Sequence, residues 1–580
     1  MIFPAAGFLP RSRRRIGPVM SMQPRPWPEV PPGTARVARK AFRKGTLAMR
    51  ARDELGAWYD DVQFGGAYGV RGAPGISPAQ LAMVTVLQFT ENLTDRQAAD
   101  AVRGRLDWKY CLGLALDDEG FDFSVLSEFR SRLVAAGLGG TILDVLLGRL
   151  KEAGLVGPGG RQRTDSTHVL GRIRDLNRLE LAGESVRAAL EALAAAAPGW
   201  LAGVIDESWQ RVYGQRVDGM RLPGSEAKRK ELAVRYGQDG YRLLEAVRAP
   251  GAPAWLRELP AVEVLRQVWV QQYYRVASED GEKVMRREAG LTGQGLPPGR
   301  SRIVSPYDPG ARYSEKRGRP WRGYKVHLTE TCHEPAGDGS RQAPNLITNV
   351  ATTEASGSDA AMTEPVHDML TARGLAPAEH AAGSGYASGD LLVAARNRGI
   401  TLLAPLAAAT SPQARAGGYT AEMFTIDWDN QQVTCPQGVT SYKWTPVTQP
   451  GNRPAFTVSF PPAACRACLA RARCTTARSA RQLTLRPREI HEAVAAARAG
   501  QASQHWKDRY KIRAGIEGTI RQATHVTGIR TARYLGLPKT RLEHNIAAAA
   551  INLIRLDAWR TGKPLDRTRT THLQRISLAA

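Results

Sequence analysis

Tyr510, Arg513 and Glu517, in Tyr510-Lys511-Ile512-Arg513-Ala514-Gly515-Ile516-Glu517, are spaced by three and four residues. On a helix that spacing puts them on one face. Arg513 can then hold the Glu517 carboxylate by a charge-assisted hydrogen bond and favour its ionised form, the form that binds a hard metal ion. An ordinary surface ion-pair stripe has the same spacing, so the triplet alone leaves both readings open. A second set is made of thiols. Cys435 precedes Pro436-Gln437-Gly438, and Cys465-x2-Cys468 is followed by Cys474. Four thiolates can close a tetrahedral structural Zn2+ site, with reduced buried thiols as the alternative. Cys111 and Cys332 have no partner pattern and read as packing residues. A third set, Lys316, Arg317, Arg319, Trp321 and Arg322, mixes cations with an indole. Such residues contact DNA phosphates or stack on a base, or else form a solvated loop. His168 and His327 read as structurally satisfied rather than catalytic.

The elements that must hold these residues alternate. Residues 164–169, 323–329 and 346–352 read as strands, the last two as neighbours in one sheet. Residues 390–398 read as a helix ended by Gly399, and 400–403 as a buried strand. That alternation predicts an α/β core. Helical spacing returns at 502–527 and 542–559. Upstream, Ser77-Pro78 opens a helix bearing Leu81, Val84 and Leu87, Thr94 with Gln97 forms a capping box, and 124–133 reads as another helix. This short-helix unit is either a helix-turn-helix DNA binder or a packing module. Residues 176–193 are helical, with helical character continuing to roughly Arg287. Between about 416 and 487, Phe424, Ile426 and Trp428 alternate, as do Phe456, Val458 and Phe460, which predicts half-buried antiparallel strands. The Pro- and Arg-rich residues before Pro32 read as a flexible arm, and Met20 or Met22 as an alternative start.

A chain of 580 residues is expected to fold as more than one packed unit. With 43% hydrophobic and 23% charged residues it has the composition of a soluble globular protein. Its net charge of +25 makes nucleic acid the leading partner. No membrane span is expected, because the longest apolar run, around 546–556, is short and carries Asn552 and Arg555. The apolar piece at 2–9 is broken by Pro4 and followed by Arg11, Arg13, Arg14 and Arg15, the wrong order for a secretion signal. With six cysteines and no disulfide pattern, the expected compartment is the cytoplasm.

The 510–517 stretch is similar to the Y-x2-R-x3-E signature of DDE transposases from bacterial insertion sequences. So is Gly528-Ile529-Arg530-Thr531-Ala532-Arg533-Tyr534-Leu535-Gly536-Leu537-Pro538-Lys539-Thr540. In the same order as in that family stand Asp165 in Thr-Asp-Ser-Thr-His, Ser305-Pro306-Tyr307-Asp308-Pro309, Ala311-Arg312-Tyr313, and Trp321 before Gly323-Tyr324-Lys325. The resemblance, in particular to the insertion-sequence group called eleven-eighty-two, spans about Pro26 to Trp559. It implies a multidomain α/β protein with a ribonuclease H-like core (156–170, 301–412 and 500–560). Around that core it implies a basic arm (1–32), a helical DNA-binding domain (33–155), a helical insertion (171–300), a β-rich cysteine-bearing insertion (413–499) and a basic tail (561–580). The implied activity is cleavage and strand transfer at double-stranded DNA, element terminal repeats and target alike, by a homodimer at the bacterial nucleoid. Asp165 and Glu517 would be catalytic and hold Mg2+ or Mn2+, supported by Tyr510 and Arg513. Two such ions activate an attacking water or 3′-hydroxyl and stabilise the leaving oxygen.

At the second aspartate the chain departs from the family. Where the pattern is Asp-x-Gly-Tyr, this sequence reads Gly383-Ser384-Gly385-Tyr386, and glycine has no side chain to ligate a metal. Glu379, four strand residues earlier, is about 13 Å away. Asp390, just after Ser388, reads as a first-turn residue favoured by the helix dipole. Thr524 stands where related signatures carry lysine. The expectation is therefore a transposase impaired by Gly383, the alternative being a derivative that binds DNA without cutting it.

Overall fold

The computed structural model describes residues 20–563 apart from 57, 218–221, 280, 291–292, 317, 334–341 and 408–410. Most of the expected arm and tail lies outside the described residues, as does Arg317. The described chain is a mixed α/β protein. A six-stranded sheet runs through it, made of β1 (Arg161–Leu170), β2 (Arg312–Lys316), β3 (Arg319–Thr331), β4 (Ile347–Glu354), β5 (Glu379–Ala382) and β6 (Thr401–Leu403). Its order is β6-β5-β1-β3. The far side of β3 is shared, β2 pairing with residues 319–323 and β4 with residues 324–330. β5 and β6 run parallel to β1, whereas β3 is antiparallel to β1, β2 and β4. Buried on both faces, β4 is a near-continuous run of β-branched and small residues, as a covered strand requires. Register sets the site. Asp165 pairs across to Leu328, and β5 ends at Ala382 opposite Thr164, so the chain leaves the sheet beside Asp165.

Helix Leu537–Arg560 is buried along most of its length, and its run Ala547–Ala550 lets neighbours approach closely. Asn552 clamps it to the sheet, its Oδ1 accepting from Ile347 N and its Nδ2 donating to Ile347 O, both at 2.8 Å. One hydrophobic core joins this helix, the sheet residues Val326 and Leu328, and the N-terminal helices Pro78–Thr90, Ser124–Ala135 and Thr141–Glu152. The Thr94–Gln97 capping box forms at helix Asp95–Gly104. A second core, around Leu193, Trp209, Tyr236 and Trp269, is built by helices Arg178–Ala196, Glu226–Ala246 and Pro260–Gln272.

Helical character was expected to reach about Arg287, but it stops at Gln272. Tyr273–Ser278 and Gly281–Arg286 form an antiparallel hairpin instead. The aromatic and β-branched residues Tyr273, Tyr274, Val276 and Val284 suit a strand, and Tyr273 fills the second core with its hydroxyl on Ala233 O. Likewise, β2 and the start of β3 form a hairpin where a solvated loop was the alternative. In the cysteine-bearing region Thr425–Asp427 pairs with Gln432–Thr434, and Lys443–Gln449, Arg453–Ser459 and Gln482–Leu485 make an antiparallel sheet. Phe424, Val433, Val458, Phe460, Leu483 and Leu485 fill its core. Among the described residues no helix is long and apolar enough to cross a membrane.

Candidate active site

Asp165 lies mostly buried on β1, its Oδ1 accepting from the Ser166 amide at 2.8 Å and its Oδ2 from Arg513 Nη2. Arg513 Nη1 donates to Glu517 Oε1 at 3.1 Å. One guanidinium thus spans the carboxylates of two residues 352 positions apart in sequence. Burial raises the pKa of Asp165 above the usual carboxylate value, opposed by Arg513, by the Ser166 amide and by the charge of Lys316. Glu517, in the first turn of helix Gly515–Thr527, is largely exposed.

The triplet does not sit on one continuous helix. Helix Gln504–Tyr510 is followed by a 3-10 turn, Lys511–Ala514, before helix Gly515–Thr527 begins. Arg163 of β1 lies at the change. Its Nη1 takes the Ile512 carbonyl at 2.6 Å, and its Nε holds the buried Glu330 carboxylate at 2.7 Å. A Cβ on Gly515 would lie 2.0 Å from Arg163 Nη1, so glycine lets the helix start against that guanidinium where it stands. Tyr510 faces the same corner, its hydroxyl donating to Ala382 O at 3.2 Å while its ring stacks on Trp506 at 4.8 Å.

Gly383 is the next residue after β5. A Cβ built there would point into the site, 3.7 Å from Arg513 Nη2 and 3.8 Å from Asp165 Oδ1. Its backbone is extended, φ −68° and ψ 162°, a conformation open to any residue. Glu379 lies back along β5, paired with Arg509. Asp390 sits in the first turn of helix Gly389–Asn397 and pairs with Arg486 at 2.5 Å. Thr524 turns its hydroxyl to Ile520 O at 2.7 Å, within its own helix.

Sequence reasoning passed over Asp359. Its Oδ1 accepts from Ser166 Oγ and from Lys325 Nζ, each at 3.0 Å, so Ser166 links it to Asp165. Behind it, Tyr386 pairs its hydroxyl with His327 Nδ1 at 2.6 Å, and burial pushes the His327 pKa down to about 4, which keeps the ring neutral at pH 7. The one signal available was that Lys325 and His327 alternate along a strand and so share a face; nothing marked Asp359.

Lys316 and Arg319 are exposed at the tip of the β2–β3 hairpin. Arg322 is tied to Asp175. Trp321 is 8% exposed, with its indole N–H donating to Tyr324 O at 3.1 Å and its ring beside His168, so it packs the hairpin rather than offering a face to a base. Cys435, Cys465, Cys468 and Cys474 line one small cavity together with Arg471 and Arg481. The Val439 amide donates to Cys435 Sγ at 3.4 Å, and burial raises the Cys474 thiol pKa. Burial pushes the thiols of buried Cys111 and half-buried Cys332 up to about 12. Among the described residues, no three His, Cys, Asp or Glu side chains are grouped as a ready metal site.

Two family models match the chain. Residues 434–557 match a transposase DDE domain, and residues 44–132 match a transposase domain known as DUF772. The first match contains Glu517 and all four clustered cysteines; Asp165 and Gly383 lie outside both. No curated protein and no solved structure matches the chain.

Proposed function

Taking as premise that the chain belongs among the DDE transposases, we propose that it binds double-stranded DNA at the ends of an insertion sequence. We further propose that its strand cleavage and strand transfer are impaired by Gly383. The net charge of +25 supports a DNA partner. A ribonuclease H-like core is supported by the strand order, in which two later parallel strands flank β1 on one side and an antiparallel pair, β3 and β4, flanks it on the other. The single observation that carries the impairment is the bare backbone at Gly383 facing Asp165 and Arg513.

Enzymes of this class use Mg2+ or Mn2+. Here the fit is incomplete: Asp165 and Glu517 are the two carboxylates at the corner, both bonded to Arg513, and Asp359 is held by Lys325 and Ser166. A second reading, a derivative that grips DNA but does not cut it, is favoured by that same guanidinium, which puts a fixed positive charge between the two carboxylates. For the four cysteines, which line one cavity with an amide N–H pointing at one sulfur, we propose that they gather on a structural Zn2+ when the ion is bound.

Gly383→Asp tests both readings. The backbone accepts the side chain without strain, and its first carbon meets only ordinary contacts. The expected result is a rise of about 100-fold or more in Mg2+-dependent cleavage of element-end duplexes, equivalent to roughly 3 kcal/mol of transition-state stabilisation. Wild-type cleavage at the rate of the variant would remove the impairment. Duplex binding without cleavage by either protein would select the second reading.

A further inference from the structure

Between Asp429 and Glu489 the sequence holds no aspartate or glutamate and nine lysines or arginines, and the three-stranded cysteine-bearing sheet lies inside that stretch. Each cation can be accounted for. Arg486 and Arg488 are paired with carboxylates from outside the stretch, the first with Asp390 and the second with Asp429 and Glu492. Arg471 and Arg481 line the cavity of the four cysteines and donate to backbone carbonyls. Lys443, Arg453, Arg466, Arg473 and Arg478 remain. All five are exposed, and among the described residues none of them has a carboxylate within ion-pair distance.

Three of the five are gathered by one inner side chain. Arg471 donates from Nη1 to Cys465 O at 3.3 Å, and from Nη2 to Ala477 O at 2.8 Å and Arg478 O at 2.9 Å. The backbone beside Arg466 and that of Arg478 thus meet at a single guanidinium. Arg473 stands two residues from Arg471 on the short helix Arg471–Cys474. Its carbonyl accepts from the Tyr419 amide at 2.7 Å, and its guanidinium lies 5.1 Å over the Tyr419 ring. A Cβ on Gly418 would lie 2.1 Å from that carbonyl, so glycine lets the two segments meet where they stand. The side chains of Arg466 and Arg478 make no hydrogen bond or ion pair among the described residues. The acids closest in sequence to this shell are engaged elsewhere, Glu422 by Arg498 and Asp427 by Asn430.

The thiols do not cancel this charge. Four thiolates on one Zn2+ carry a net charge of about −2, which Arg471 and Arg481 offset from the cavity wall, and neutral thiols carry none. The outer arginines are in excess in either state. Their charge is permanent and their planar donor pairs match phosphate oxygens. We propose that Arg466, Arg473 and Arg478 grip the phosphates of a DNA duplex. Leu469 is the one exposed large apolar side chain on the segment 460–481, too little apolar surface to hold a membrane. The cysteine-bearing region is also tied to the candidate active site. Helix Arg488–Ala502 sets His491 against Trp428 at 5.5 Å and Arg498 onto Glu422. The same helix pairs Glu489 with Arg396, and a Cβ on Gly389 would lie 2.6 Å from its Ile490 side chain. The chain then runs through Gln504–Tyr510 to Arg513. DNA held on the arginine shell is therefore held relative to the reacting corner.

The inference rests on the reading that the chain binds DNA, and the experiment separates the two. Binding of a fluorescent duplex to the full chain is followed by anisotropy over a range of salt. The proteins are wild type, the double variant Arg466→Ala with Arg478→Ala, the double variant Arg466→Lys with Arg478→Lys, and Arg473→Ala. Arg257→Ala, an exposed position in the helical unit around Trp269, controls for generic charge loss. The double alanine variant is expected to bind about 10-fold more weakly at low salt, with the slope of log Kd against log salt lower by about 2. Arg473→Ala should lower the slope by about 1. The double lysine variant should keep most of the affinity and Arg257→Ala all of it. Arg473→Ala carries the test should the double alanine variant lower the melting midpoint. Alanine variants that melt as wild type and keep both its Kd and its slope, or a loss matched by Arg257→Ala, would overturn the proposal. Unchanged duplex binding together with lost binding to phosphatidylserine vesicles would overturn it in favour of a membrane surface. A wild-type chain that binds no duplex at all would overturn the DNA reading itself.

Discussion

Arg513 decides what the corner of the sheet can do. Its two terminal nitrogens hold Asp165 and Glu517, so one guanidinium is shared between two carboxylates. Gly383 matters because the space it leaves is directed at that arrangement rather than at solvent. Another single residue gives the fold a pH dependence. Glu543 is buried in helix Leu537–Arg560, accepts from the Arg533 amide at 2.9 and 3.2 Å, and is pushed up to about 7 by burial, against the pull of that amide and of Arg533. The folded acid holds its proton more tightly than the unfolded chain, whose glutamate pKa is about 4.3. Its contribution is therefore full below about pH 4 and lost as pH rises through about 7, on the order of 3 kcal/mol. A thermal melt series from about pH 5 to 8 should show the wild-type midpoint falling more steeply than that of Glu543→Gln; equal slopes would rule Glu543 out as the cause.

Among elements, the 3-10 turn Lys511–Ala514 does the positioning. A straight helix would satisfy the spacing of Tyr510, Arg513 and Glu517, but the chain makes a 3-10 turn there, where Arg163 donates to the Ile512 carbonyl. Tyr510 then bonds the Ala382 carbonyl at the end of β5, while Arg513 reaches Asp165 on β1. The cysteine-bearing sheet poses a similar question of local geometry. In Cys435-Pro436-Gln437-Gly438, Gly438 takes φ +78°, its amide donates to Cys435 O at 2.8 Å, and the next amide points at the sulfur. The Zn2+ proposed above would draw on this thiol. Protein purified without chelator is expected to contain one zinc per chain, lost in Cys468→Ala together with protease resistance across residues 425–485. Zinc-free protein with intact resistance would leave the cysteines as packing residues.

At the scale of the whole molecule, helix Leu537–Arg560 joins the N-terminal helices to the sheet, whereas the helical unit around Trp269 keeps its own core. Asn552→Leu removes both bonds to Ile347 and leaves two buried backbone groups unpaired, a loss of about 2–4 kcal/mol. Hydrogen exchange should then quicken together in β4 and in helix Pro78–Thr90, with helix Arg178–Ala196 protected as before. Faster exchange confined to β4 would show that the two parts of the large core are not cooperative.

By itself the sequence determined the local features. Ser77, Thr94, Ser388 and Gly399 mark helix ends through caps and a left-handed glycine, and alternation marks the strands, because these depend on neighbours a few residues away. The motif order and the charge pointed to the family that the two matches support. Composition also misled: the Tyr273–Arg286 hairpin followed a long helical run, and Trp321 looked available for stacking until the hairpin buried it. Only the tertiary structure brought Arg163 beneath Gly515, set Asp359 beside Asp165 through Ser166, and joined two separate motifs around Asp308. Those contacts link residues far apart in the chain, and sheet register, which no local pattern encodes across such distances, decides which of them meet.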